Sequence, residues 1–239
     1  MPSMKLDNEV DIQRAYYAKT ASVYDAMHVA EDDDHAFALA YMIGVADFLG
    51  VESVLDIGSG TGRVLTKIKT KLPHISIVGI EPSHELRKIG YAKGLSQSDL
   101  IDGDAMKLDF ADESFDLVCE YAALHHIPKP NVAVSEMLRV SKRAISISDA
   151  NNFGQGGKIS RHVKQLINAL GLWPIADYIK TKGKGYTVSE GDGLAYSYSV
   201  FNDYAQIKSK CKSVHVLNTT NSDPNLYRSA PHVALLGIK

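Results

Sequence analysis

Four acids stand at or just after the ends of short apolar runs. Asp56 follows Val54-Leu55, Glu81 follows Ile75–Ile80, Asp104 comes soon after Leu100-Ile101, and Glu120 ends Phe115–Glu120. Directly behind the first acid lies Gly58-Ser59-Gly60-Thr61-Gly62, a GxGxG run. Glycines let a backbone turn tightly and approach a ligand closely, and the free N–H groups of a following helix suit polar ligand atoms. A carboxylate just before such a loop repels a pyrophosphate and attracts a cation. Asp56 therefore argues against a dinucleotide and for a ligand carrying an ammonium and a sulfonium. The spacing agrees, because a dinucleotide fingerprint reads GxGxxG and would place its third glycine elsewhere. Glu81 offers two oxygens that match the paired hydroxyls of a ribose. Asp104, beside Ala105, adds a third carboxylate able to accept from a ligand N–H.

These residues need elements to position them. Apolar runs read as strands at Val54 onward, Ile75–Ile80, Leu100-Ile101, Phe115–Glu120 and Ala144–Ser148. Between them, Val64–Leu72 carries helical periodicity up to Pro73, Ser83 is placed to cap a helix His84–Gly94, and Val132–Val140 follows Pro128 and Pro130. Alternating strands and helices imply a doubly wound, mostly parallel α/β sheet with its ligand at the carboxyl ends of the strands. All four acids converge there.

This order of motifs resembles the class I S-adenosylmethionine-dependent methyltransferases, most closely their small-molecule type 11/25 branch, across Tyr16 to Ala150 and more loosely near the end of the chain. The resemblance implies a Rossmann-like, seven-stranded sheet closed by Val214–Asn218 and His232–Ile238 with an antiparallel C-terminal strand, and S-adenosylmethionine as cofactor. It implies that Tyr17, Ala21, Tyr24 and Asp25, within a helix Ile12–Met27, fold over that cofactor as a lid. A plain amphipathic helix with aromatic anchors is the other reading. The expected cofactor contacts are Tyr17, Tyr24, Asp56, Gly58, Ser59, Gly60, Gly62, Glu81, Pro82 against the adenine face, Asp104, Ala105 and Glu120. Glu120 departs from the small or amide residue common at its place. The likeness sets His125, in Leu124-His125-His126, beside the reacting face, where it serves as a general base or packs beneath the cofactor. Imidazole titrates near neutrality, and a base is needed when the acceptor is a hydroxyl or a protonated amine. His126 is expected to face the core or the next helix.

Absences narrow the acceptor. Glu120-Tyr121-Ala122-Ala123 lacks the Asn-Pro-Pro-Tyr type of run that grips planar amine nitrogens, and Cys119 lies inside a strand rather than in a Pro-Cys nucleophile. Asp149, Asn151 and Asn152 echo metal-dependent relatives without the partner pattern, so no metal is expected. The long stretch Asp149–Val200 reads as a substrate cap. It begins with the polar turn DANNFGQGG, continues as a helix Lys158–Leu170 and a second short helix, and ends in a flexible segment Thr181–Gly193. Asn151, Asn152, Gln155 and Tyr196 are the expected substrate contacts, with Trp173, Tyr186 and Tyr198 as walls. These amides favour a small polar metabolite, a sugar or glycan hydroxyl first and a nitrogen acceptor next. A cofactor-binding regulatory or scaffold module without turnover is the alternative, and a dinucleotide oxidoreductase conflicts with Asp56.

The 239 residues are 45% hydrophobic and 23% charged with a net charge of −2, ordinary for a globular chain. No basic stripe suggests nucleic acid, and the clusters Lys67–Lys71 and Lys180–Lys184 read as solvated surface. Two cysteines suit a reducing compartment. The opening MPSMKLDNEVD lacks the apolar core of a leader, and no run reaches the ~18 apolar residues of a membrane helix. A cytoplasmic protein with a small-molecule substrate and no membrane partner is expected, its oligomeric state left open. Four parts follow: residues 1–50 as an N-terminal helical lid, 51–150 as the cofactor-binding core, 151–200 as the substrate cap, and 201–239 completing the sheet. His28 and His35, flanking the acidic run Glu31–Asp34, read as isolated surface histidines.

Overall fold

Short apolar strands separated by amphipathic helices stack into three layers. The structure, a computed structural model, describes residues 9–220, 223 and 225–239; residues 1–8, read above for a leader, lie outside the described residues. The chain opens with helix α1 (Glu9–Thr20), a 3-10 turn Ala21–Val23, and helices α2 (Tyr24–His28) and α3 (Asp34–Phe48). The sequence pattern ran one helix through Ile12–Met27; it breaks at Ala21-Ser22-Val23, where serine and a β-branched valine favour helix weakly. Asp33 starts α3 by accepting from the Ala36 N–H at 2.6 Å.

Then come β1 (Ser53–Ile57), α4 (Arg63–Lys71), β2 (Ser76–Ile80), α5 (His84–Ala92), β3 (Leu100–Ile101), β4 (Phe115–Tyr121), α6 (Pro130–Val140) and β5 (Ser141–Ala150). The Ser83 hydroxyl caps α5, accepting from the Leu86 N–H, and Pro130 sits in the first turn of α6, where its missing N–H costs nothing. Helices α7 (Lys158–Ala169) and α8 (Trp173–Lys180) lead into β6 (Tyr186–Ser189) and β7 (Gly193–Tyr196), a separate hairpin within the segment expected to be flexible. A 3-10 turn Val200–Asn202, α9 (Tyr204–Lys210), β8 (Ser213–Asn218), α10 (Leu226–Ser229) and β9 (His232–Ile238) finish the chain.

The seven-stranded sheet runs β3-β2-β1-β4-β5-β9-β8, doubly wound and parallel except for β9, which is antiparallel to both its neighbours. Its two faces bury separate apolar sets. Met42, Leu65, Ile68 and Leu117 pack beneath α3 and α4, while Leu55, Val118, Val134 and Met137 pack beneath α6. Strand β1 pairs with β2 on one side and β4 on the other, so the crossover direction reverses there. The crevice outside the carboxyl ends of β1 and β4 is the position where open sheets of this kind hold ligands. No helix among the described residues is long and apolar enough to cross a membrane.

Candidate active site

The glycine loop leaves β1 with Gly58, Gly60 and Gly62 at φ values of 69°, 55° and 86°. A Cβ on Gly58 would lie 2.4 Å from Ala123 Cβ, so the loops after β1 and β4 approach more closely than any side chain at residue 58 allows. Glu81, ending β2, accepts from the Gly60 N–H at 3.0 Å and from the Ser83 N–H at 2.7 Å. Burial lifts its proton affinity to about 7, against the pull of those two N–H groups and of Arg87. Asp56 is buried too, and its proton affinity also rises to about 7 because of that burial. Its Oδ1 meets the Cys119 thiol at 3.6 Å, while Oδ2 has no partner. A buried carboxylate oxygen without a partner costs about 1–3 kcal/mol, and a cationic group reaching it from the adjoining cavity would offset that cost.

Two adjoining cavities flank these carboxylates. The first, of about 270 Å³, is lined by Gly58, Glu81, Pro82, Asp104 and Ala105, among others. The second, of about 380 Å³, takes in Asp56, Ser59, Thr61, Arg63 and His125. Tyr17 and Tyr24 line both, with their rings edge-to-face at 5.7 Å. Burial pushes both phenols up, so the hydroxyls stay protonated. The break in the N-terminal helix turns Asp25 onto the glycine loop, where it accepts from the Thr61 hydroxyl at 2.6 Å and pairs with Lys93. Arg63 forks onto Asp33, with nitrogens at 2.6 and 3.0 Å, and so ties the start of α3 to α4. Gly60 and Gly62 shape the loop without lining either cavity. Glu120 lines neither cavity, contrary to the expected cofactor contact: its carboxylate accepts from the Ala123 and Leu124 N–H groups and supports the turn after β4 from beneath. Burial and the nearby Asp149 charge push the Glu120 carboxyl well above its ordinary value.

His125 faces the second cavity. Its Nδ1 lies 2.6 Å from Asp149 Oδ1, and its Nε2 lies 3.5 Å from Asp192 Oδ2. Burial favours the neutral ring, but the Asp149 and Asp192 carboxylates outweigh it and push the imidazole well above its ordinary value. Burial disfavours the Asp149 charge in turn, and the His125 cation more than offsets this. Between the two loops, Ala122 takes a left-handed φ of 59° while its N–H donates to the Ser148 carbonyl at 2.9 Å. That conformation is costly for a residue with a Cβ, and it sits where both cavities meet.

Five of the nine histidines line the second cavity: His28, His35, His125, His126 and His232. His28 and His35 are therefore not isolated surface groups. His35 Nδ1 meets the Ser148 hydroxyl at 2.9 Å, and burial lowers its proton affinity to about 4, leaving it neutral. His232 meets Asp34 at 2.9 Å. His126, expected to face the core or the next helix, lines both cavities, with Nδ1 2.6 Å from the Leu194 carbonyl and Nε2 3.4 Å from Asp192 Oδ1. Asp192 comes from the tip of the β6–β7 hairpin. Its signal in the sequence was an acid held between two glycines, Gly191 and Gly193. His125, His126 and Asp192 bring one donor atom each within 4.8 Å, a set able to hold a metal ion; in this structure the Asp192 carboxylate lies between the two imidazoles.

The four expected substrate contacts line neither cavity. The Asn151 amide donates to the Leu226, Tyr227 and Ala230 carbonyls at 3.1, 3.0 and 2.9 Å and accepts from Ser199, so it ties β5 to the segment before β9. Asn152 is buried beneath α7, where its carbonyl accepts from Lys164. Tyr196 packs on Tyr186 across the hairpin at 6.1 Å, and Gln155 sits half-buried on the turn before α7. The turn after β5 is tied instead to the segment before β9, with the Asn151 N–H donating to the Pro231 carbonyl at 2.7 Å.

Comparison with known proteins agrees with this geometry. Residues 55–144 match the methyltransferase domain family. A demethylmenaquinone methyltransferase of Thermotoga maritima is 36% identical over 92 residues, covering 38% of this chain and 40% of that one. An uncharacterized methyltransferase, YcgJ, of Bacillus subtilis is 32% identical over 134 residues, covering 53% of this chain and 50% of that one. The chain thus spans about half the length of the curated relatives it matches, or less. The crystal structure of magnesium protoporphyrin IX methyltransferase from Synechocystis PCC 6803 with bound SAH superposes with a TM-score of 0.63 at 14% identity, over 97% of this chain and all of that one. That likeness is one of fold.

Proposed function

We propose that this chain, which belongs to the class I S-adenosylmethionine-dependent methyltransferases, transfers the cofactor's methyl group to an oxygen or nitrogen of a small molecule held in the second cavity. One observation carries the reading. The buried carboxylates of Asp56 and Glu81 flank a glycine loop at the switch point, and Asp56 keeps one oxygen without a partner at the cavity wall.

The residues fit the cofactor group by group. Glu81 would receive the ribose hydroxyls, Pro82 would lie against the adenine, and Asp104 with the Ala105 backbone would meet its amine; all four line the first cavity. Asp56 would face the cationic methionine end, with Gly58, Ser59, Gly60 and Gly62 shaping the backbone there and Tyr17 and Tyr24 holding it from the N-terminal helices. Bound there, the cofactor supplies a methyl group already activated on its sulfonium. What remains for the chain is alignment and the exclusion of water, which can account for much of such a rate.

His125 is the proposed proton acceptor. Asp149 holds Nδ1 and leaves Nε2 facing the acceptor cavity. The two flanking carboxylates keep the resting ring cationic. An acceptor that displaces Asp192 from Nε2 removes one of those charges and eases loss of the Nε2 proton to solvent; the freed nitrogen then takes the proton the acceptor loses as its oxygen or nitrogen gains the methyl group, while Asp149 holds Nδ1 throughout. The sugar or glycan preference rested on Asn151, Asn152 and Gln155, and since none of them lines either cavity its support is withdrawn. The acceptor class is therefore a small molecule with a reactive oxygen or nitrogen, and the net charge of −2 favours no nucleic acid. Incubating the protein with methyl-deuterated cofactor and fractionated small-molecule extracts tests this. A labelled product that depends on Asp56 supports it, whereas cofactor binding with no label transferred from any fraction would leave the binding-module alternative.

A further inference from the structure

Helix α7 is built inside out. Its polar side chains point at the body of the protein: Arg161 donates to the Ser229 carbonyl, Lys164 to that of Asn152, Gln165 to those of Phe153 and Arg228, and Asn168 to the Tyr227 hydroxyl. Its apolar residues Ile159, Val163 and Leu166, with Leu170 just beyond, recur at the spacing of one helical face and point outward. Ile159 is 82% exposed and Leu166 61%. Helix α8 continues the surface with Ile175, 60% exposed, and Ile179, 71% exposed. Neither helix has a buried residue. An ordinary surface helix buries its apolar stripe, and a contiguous exposed one marks a contact site.

The charge around the patch identifies its occupant. Residues 158–184 carry six cations, Lys158, Arg161, Lys164, Lys180, Lys182 and Lys184, against one anion, Asp177, in a chain of net charge −2. Lys158, Lys180, Lys182 and Lys184 are exposed. A second copy docking through the same patch about a twofold axis would set these cations against each other. A bilayer surface with anionic headgroups answers both features, taking the apolar stripe into the headgroup–acyl boundary and pairing the lysines with lipid phosphates. We infer that α7 and α8 form a docking surface for an anionic lipid bilayer, on which the protein lies without spanning it. Helix α8 runs directly into the hairpin whose tip, Asp192, lines the second cavity. The docked face and that cavity thus share one segment of chain. The inference is independent of methyl transfer.

Flotation of the full chain with vesicles of phosphatidylcholine alone, or of phosphatidylcholine with phosphatidylglycerol, tests it, with oligomeric state measured alongside by light scattering. The anionic vesicles should bind at least tenfold more tightly than the neutral ones. Leu166→Glu with Ile175→Glu, at exposed positions and therefore compatible with folding, should abolish binding. The triple variant Lys180→Glu, Lys182→Glu, Lys184→Glu should remove the preference for anionic lipid, and unchanged circular dichroism and melting would show both variants folded. Absence of binding to either vesicle would overturn the inference, as would equal binding to both. So would a dimer in solution that Leu166→Glu splits into monomers, which would make the face an interface between copies of this chain.

Discussion

Replacing Asp56 by asparagine should move folding stability and cofactor affinity in opposite directions. Burial raises this carboxyl from 3.8 to about 7, and each tenfold change in proton affinity corresponds to about 1.4 kcal/mol. Well above neutrality the side chain is ionised in both folded and unfolded chains, and keeping that charge buried costs the fold about 4 kcal/mol. The folded state binds the proton more tightly, so this contribution to stability is complete below pH 3.8 and is lost as pH rises through about 7. Asparagine removes the charge but buries a new amide without a donor's partner, which gives back about 1–3 kcal/mol. Asp56→Asn should therefore stabilise the unliganded protein by about 1–3 kcal/mol at pH 8 and by less at pH 5. Glu81 carries a similar shift in both proteins, so the difference between them isolates residue 56. Affinity for S-adenosylmethionine should fall by about 1.5–3 kcal/mol, the usual range for a hydrogen bond to a charged group, or roughly ten- to hundredfold. Urea unfolding at the two pH values, with and without cofactor, reads both quantities. A variant less stable than the parent at pH 8, or one with unchanged cofactor affinity, would refute the reasoning.

Gly58→Ala forces a Cβ into the left-handed region and to within 2.4 Å of Ala123, so stability should fall by about 2–5 kcal/mol from strain and overpacking together; an unchanged thermal melt would contradict this. Asn151→Ala, which leaves three carbonyls without their donor, should cost about 2–4 kcal/mol in denaturant unfolding. Its KM for any identified acceptor should stay at the parent value, and a raised KM with normal stability would restore a substrate role. His125→Ala should slow turnover by about 10²–10⁴-fold with cofactor affinity nearly intact, and a parental rate would assign the ring to packing.

The strand ends and glycine loop of the proposed cofactor site are legible in the sequence because its parts are local. Asp56, the glycine loop and Glu81 belong to one strand–helix–strand unit, and the strand ends that carry them follow from short apolar runs. The second cavity is assembled from distant segments: His35 from α3, Asp192 from the β6–β7 hairpin and His232 from β9. No local pattern links them, and the hairpin itself was hidden in a glycine-rich stretch. Asn151 misled for a related reason, since an amide looks the same whether it faces a ligand or, as here, three carbonyls of its own chain. Glu120 shares the strand-end position of the other acids, yet its carboxylate folds back to hold the turn that carries His125.

Calorimetric titration with S-adenosylmethionine, its demethylated product and NAD tests the central claim most directly. Micromolar binding of the first two, with none of NAD and a matching loss in Asp56→Asn and Glu81→Gln, is the predicted result. Binding of NAD alone, or parental affinity in both variants, would contradict the account.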